Sequence, residues 1–272
     1  MKILYLLLFF FLSAKIFGQV IISPYIVYID PQDRFGSYIV QNESNEEYEI
    51  SISFVFGFPV SDSTGQGSMR YIEDVPDSMP ALNNWIRAFP RKFILPPKQR
   101  QIIRMTVRPP DTLKPGTYWT RIVTSAVPKA VDVGTDTTGI SAKVNFVLNQ
   151  VTTALYRIEP AESGVEFTDF SIEKDTSSVS LFATLNRTGN TPFYGDVTMK
   201  FYTADSVLID QKEEFVSLFY NAVKRFDILT DTLQTGKYWA ELSIQHNEKE
   251  DIPESKLEVF PTLIKTIEFE IP

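Results

Sequence analysis

The side chains that most often carry catalysis are scarce in this sequence. His246 is its one histidine and there is no cysteine, which removes thiolate chemistry, disulfides and zinc sites of the Cys type. A Ser-His-Asp triad would have to pass through His246, which follows an alternating apolar stretch beside Asn247 and Glu248 and reads as a surface residue. The carboxylate pairs Glu46-Glu47 and Glu213-Glu214 are adjacent. Neighbours on a strand point to opposite faces, so neither pair makes an acid/base couple by itself. Residues 132–139 (DVGTDTTG) look superficially like a calcium loop but lack the alternating acids and the closing bidentate Glu. A long hairpin loop is the plainer reading. Gly-rich phosphate loops, G-x-S-x-G and paired-His metal motifs are all missing. This inventory predicts a protein that is not an enzyme and holds no cofactor or metal.

Charge offers a second kind of chemistry. Residues 85–110 carry Arg87, Arg91, Lys92, Lys98, Arg100, Arg104 and Arg108 and no acid. Such a run guards strand edges and keeps a surface soluble; it also suits an anionic partner or the chain's own acidic half. Residues 19–157 hold 14 Lys and Arg against 13 Asp and Glu, whereas residues 158–272 hold 10 against 21. An acidic exported chain is a poor partner for nucleic acid, so none is expected.

The elements that would position these groups are strands. Residues 1–18 read as a cleaved secretory signal: Lys2, an uncharged apolar run over 3–12, then Gly18 as a small residue before Gln19. Lys15 interrupts the run short of the ~20 residues a membrane span needs, so no stable membrane insertion is expected. Beyond it, segments rich in Val, Ile, Phe, Tyr and Thr are bounded by Pro, Gly, Asn and Asp, and several alternate with period two. They fall at 21–29, 37–41, 48–56, 100–107, 117–126, 143–156, 178–185, 196–202, 224–229 and 237–245. None shows a sustained helical period, and short helical turns are expected only within 77–85. With 43% hydrophobic residues and no disulfide, an exported chain of 272 residues must be stabilised by packing in large sandwiches.

A partial repeat sets the domain count. Residues 112–119 read TLKPGTYW and residues 232–239 read TLQTGKYW, each leading into a strand. A basic-apolar strand precedes each copy, and Asn42 and Asn186 each end an earlier strand. Two copies of one sandwich topology is the economical reading. It gives a signal at 1–18, a first domain at 19–157 with an excursion over 57–84, and a second domain at 158–272. In T-L-x-x-G-x-Y-W the Gly makes a tight turn at positive φ, and alternation sends one aromatic inward and the other outward.

The stretch 84–128, NWIRAFPRKFILPPKQRQIIRMTVRPPDTLKPGTYWTRIVTSAVP, resembles the N-terminal domain of periplasmic pilus (fimbrial) assembly chaperones. The shared features are a short strand ending in an apolar residue before Pro, a turn bearing Gln, Lys and Arg, and I-R on the next strand. A Pro-bearing loop, an aromatic strand and a closing V-P follow. A first strand over 21–30, a second ending at Asn42 and a long last strand ending in L-Y-R at Arg157 fit the same pattern, over about 130 residues. The resemblance implies an all-β protein of two tandem immunoglobulin-like β-sandwiches that works by β-augmentation, pairing its last N-domain strand with an exported subunit that lacks one. The matching alternating side chains here are Val144, Phe146 and Leu148. The two positions at which the family grips the subunit's terminal carboxylate with cations carry Ile26 and Thr153, so that clamp is not retained.

The expectation is therefore a chaperone-like protein of the periplasm that binds a pilin-like or other surface subunit by strand donation or edge pairing. The alternative is a structural or adhesive immunoglobulin-like module of a cell-envelope or secretion complex, secreted or held at the cell surface.

Overall fold

In the computed structural model, residues 20–129, 146–175, 177–230, 233–247 and 261–271 are described. The proposed signal, the 132–139 loop and Val144 lie outside them. The described residues form strands and turns without a helix, including over 77–85.

The first half builds two facing sheets. β1 (Val20–Ser23), β3 (Phe35–Asn42), β8 (Arg100–Val107) and β6 (Ile86–Phe89) form one, in that order. The other runs β2 (Ile26–Ile29), β10 (Leu148–Ile158), β9 (Gly116–Pro128), β4 (Tyr48–Ser61) and β5 (Gly67–Ile72), with β7 (Lys92–Leu95) also on β4. The second half repeats the plan with β11 (Ser163–Lys174), β12 (Ser178–Gly189) and β15 (Asn221–Leu229) facing β14 (Leu208–Leu218), β13 (Phe193–Thr203), β16 (Gly236–His246) and β17 (Leu263–Ile271). All-β architecture in two sandwiches is thus observed, each around its own apolar cluster.

Inward residues alternate strictly on the central strands: Tyr38 and Val40, Ile103 and Met105 in the first core, Val197, Met199 and Phe201 in the second. Three sequence expectations change. The single strand expected over 21–29 is two, because Pro24 cannot donate to a ladder and the chain crosses there from one sheet to the other. The excursion at 57–84 begins as strand: β4 continues to Ser61 and hairpins into β5. Asn186 does not end its strand but pairs with Asn221 inside β12. Asn42 does end β3, and its side chain is fully employed. Its Nδ2 donates to the carbonyls of Glu46 (2.7 Å), Leu95 (3.1 Å) and Pro96 (3.0 Å), while its Oδ1 accepts from the Ser44 amide (2.9 Å) and hydroxyl (2.7 Å).

The repeated motif has the same geometry in both halves. Tyr118 and Tyr238 point inward, and each hydroxyl donates to the carbonyl four residues earlier, Lys114 at 3.1 Å and Gln234 at 2.7 Å. Trp119 and Trp239 point outward. This is the tyrosine-corner device of immunoglobulin-like sandwiches, placed at the start of the strand.

Candidate functional site: an open strand edge beside a covered sheet face

β10 pairs along its whole length with β9, from Leu148 opposite Ala126 to Ile158 opposite Gly116. Its other side is paired only in part. β2 runs parallel to it from Ile26 opposite Thr153 to Ile29 opposite Tyr156, and the Thr153 amide donates to the Tyr25 carbonyl at 3.0 Å. Antiparallel residues alternate in the side to which their amide and carbonyl point. Those of Val151 and Asn149 therefore face the same side as Thr153's, but no described strand pairs with these two residues there. The result is a short open edge next to solvent-exposed apolar side chains: Phe146 is 72% exposed, Val147 55% and Val151 42%.

The side chains of this strand divide between two tasks. Ala154 and Tyr156 fill the first core, and Leu148, half-buried, packs against it. Two residues before Leu148, Phe146 stands in solvent. The opposite parity, Thr153, Leu155 and Arg157, lies on the outer face of the sheet, which the second sandwich covers. There Phe56, Phe58, Trp119 and Leu155 form a third apolar cluster with Tyr194 and Phe219. Trp119 meets Phe219 edge-on with centroids 4.8 Å apart, and Phe58 meets Tyr220 at 4.6 Å. The hairpin of β4 and β5 adds a bond from the Val223 amide to the Ser61 hydroxyl.

Cations enter this covered face. Arg121 is 8% exposed and lies in the row Ile26, Thr153, Arg121 across β2, β10 and β9. Its Nη1 donates to the Thr153 hydroxyl and its Nε to the Gly57 carbonyl at 3.0 Å, and its guanidinium sits 4.7 Å from the centre of the Phe219 ring. Burial depresses its pKa below the ordinary guanidinium value. Arg157, also buried, donates to the Thr117 hydroxyl at 3.4 Å and lies over Tyr28. Burial raises the phenol of Tyr28 to about 12, against the opposing pull of Arg157, and raises that of Tyr194 further.

Of the residues singled out from sequence, Phe146 and Leu148 lie at the open end of β10, one in solvent and one against the core. Ile26 and Thr153 are direct neighbours across the parallel pair. Arg121 was invisible to sequence reasoning: the alternation of β9 marks it as outward, but nothing local says that another sandwich covers it. Arg87, Arg100 and Arg104 of the basic run do not face the acidic half, because they sit on the outer face of the sheet β1-β3-β8-β6, while the second sandwich packs on the other sheet.

No protein-family model and no curated protein matches the sequence. Among solved structures the chain is similar to the YadV chaperone, with 9% identity over 92% of this chain and 100% of that one and a TM-score of 0.47. It is similar to the CsuC-CsuE chaperone-tip adhesion subunit pre-assembly complex of Csu pili from Acinetobacter baumannii, with 11% identity over 92% and 98% and a TM-score of 0.47. The CupB2 chaperone of Pseudomonas aeruginosa gives 9% identity over 92% and 100%, with a TM-score of 0.42.

Proposed function

We propose that this protein is a periplasmic chaperone-like carrier that holds an exported β-rich subunit, pilin-like in character, by pairing it along the open edge of β10. The observation that supports the reading most directly is that edge, flanked by the exposed Phe146, Val147 and Val151. An added strand gains affinity from main-chain hydrogen bonds and specificity from every second side chain. The resemblance of residues 84–128 to the chaperone family and the proposed signal at 1–18 support a site of work outside the cytoplasm. Two tandem sandwiches, with a division at 157/158, supply a rigid support: the second fixes the sheet that carries β10 without covering its edge. With Ile26 and Thr153 at the clamp positions, holding depends on the edge and its apolar side chains.

The test is co-purification of the tagged protein from its exported compartment, with mass spectrometry of what is bound. Wild type should carry a stoichiometric exported β-rich subunit, and Phe146→Ser should lose most of it while melting unchanged. Equal recovery by the two proteins overturns the reading.

A further inference from the structure

The two repeat tryptophans have different surroundings. Trp119 is 1% exposed beneath Phe219 of the second sandwich. Trp239, at the matching place, stacks face to face on Tyr202, with centroids 4.1 Å apart and planes at 11°, and remains partly exposed. The outer face of β14-β13-β16-β17 to which it belongs has no buried residue among Trp239, Tyr202, Glu241, Glu268 and Ile264. The equivalent face of the first sandwich carries another sandwich; this one meets the first sandwich only at its Tyr194 and Phe215 end, and the part around Trp239 is open. Its carboxylates, Glu213, Glu241, Glu268 and Glu270, outnumber Lys200 and Lys237.

The first sandwich has a face of opposite character. Across β1-β3-β8-β6 the outward positions include Arg87, Arg100 and Arg104 and no acid, and none of the three forms an ion pair with a described residue. Between them stand Phe89, 77% exposed, and Ile102, 48% exposed, lining a groove of about 360 Å³. Within one chain the two faces cannot meet, because the second sandwich packs against the opposite sheet of the first.

We infer that they meet between copies: the basic-apolar face of one molecule binds the acidic-aromatic face of the next, head to tail. Charge complementarity and the aromatic content of both faces select a second copy as the occupant. Guanidinium groups favour the rings and carboxylates that Trp239, Tyr202, Glu241 and Glu268 present. Such an interface is heterologous, so a pair retains one free face of each kind, one on each molecule. The β10 edge lies in neither face, so this association is separate from subunit binding.

Sedimentation velocity of the mature protein tests it. Wild type should associate at about 0.05 M salt as concentration rises, and return to monomer near 0.5 M, where charges are screened over a shorter distance. Arg104→Glu and Glu241→Arg, folded by circular dichroism, should each be monomeric alone. Their equimolar mixture should associate again, because one intact face of each kind remains. Val151→Pro should associate like wild type, which separates this result from any failure of edge pairing. A wild type that stays monomeric at low salt, or a mixture of variants that stays monomeric, overturns the inference.

Discussion

Single residues hold the turns of this fold. Gly116 has φ +135°, and a Cβ there would lie 3.0 Å from the Asn190 carbonyl oxygen; Gly236 has φ +155° and open space. The repeat is equal in sequence but unequal in contact, so Gly116→Ala should cost more stability than Gly236→Ala in chemical denaturation. The backbone term alone is about 1–2 kcal/mol. Equal losses would mean that the contact with Asn190 contributes nothing. Asn42 is a second case. Replacing it with Ala removes five hydrogen bonds at once. Glu46 and Ser44 keep each other and the Pro96 carbonyl keeps the Gln99 amide, so the buried loss falls chiefly on the Leu95 carbonyl. An unsatisfied buried group costs about 1–3 kcal/mol. Asn42→Ala should therefore lower the melting temperature well beyond an exposed substitution such as Lys92→Ala, measured by calorimetry.

At the scale of elements, the sequence showed the strands that have two neighbours. β3, β8, β12, β13 and β16 are half-buried on a pleat, so apolar and polar residues alternate along them. Those it missed, β5, β6, β11, β14 and β17, have one neighbouring strand each, although β1, β2, β7 and β15 also have one and were legible. β14 reads LIDQKEEFVSL, a charged stretch that suits a solvated edge and hides a strand. The same physics limited the candidate site. The alternation that marked Val144, Phe146 and Leu148 is the pattern of any sandwich strand, and packing divides it: Leu148 lies against the core, Phe146 in solvent, and Val144 outside the described residues. Leu148→Ser should lower the melting temperature by removing part of a side chain worth about 1.5–3 kcal/mol when fully buried. Phe146→Ser should leave it unchanged. Matching losses would place Phe146 in the protein's own core.

On the scale of the whole molecule, the open edge depends on the covered face beside it. Trp119, Arg121 and Leu155 pack the sheet against Tyr194 and Phe219, so that the sheet carrying β10 is covered on both faces. This face has an alkaline limit. Tyr28 and Tyr194 are buried as neutral phenols, with pKa raised above the value of about 10 expected in an unfolded chain. A raised acid pKa contributes stability that is complete below about pH 10 and is lost as pH rises through the folded value, because the unfolded state then loses protons first. Denaturant midpoints should hold up to about pH 10 and fall steeply towards pH 12, in step with tyrosinate absorbance.

Proline at Val151 tests most directly whether the outward amides of β10 bind another chain. It removes an amide that faces the open edge while leaving the ladder to β9 in place. Purified from the exported compartment, Val151→Pro should melt like Val151→Ala and yet carry none of the subunit that Val151→Ala retains. If both variants carry the same subunit in the same amount, the protein does not hold its partner by that edge.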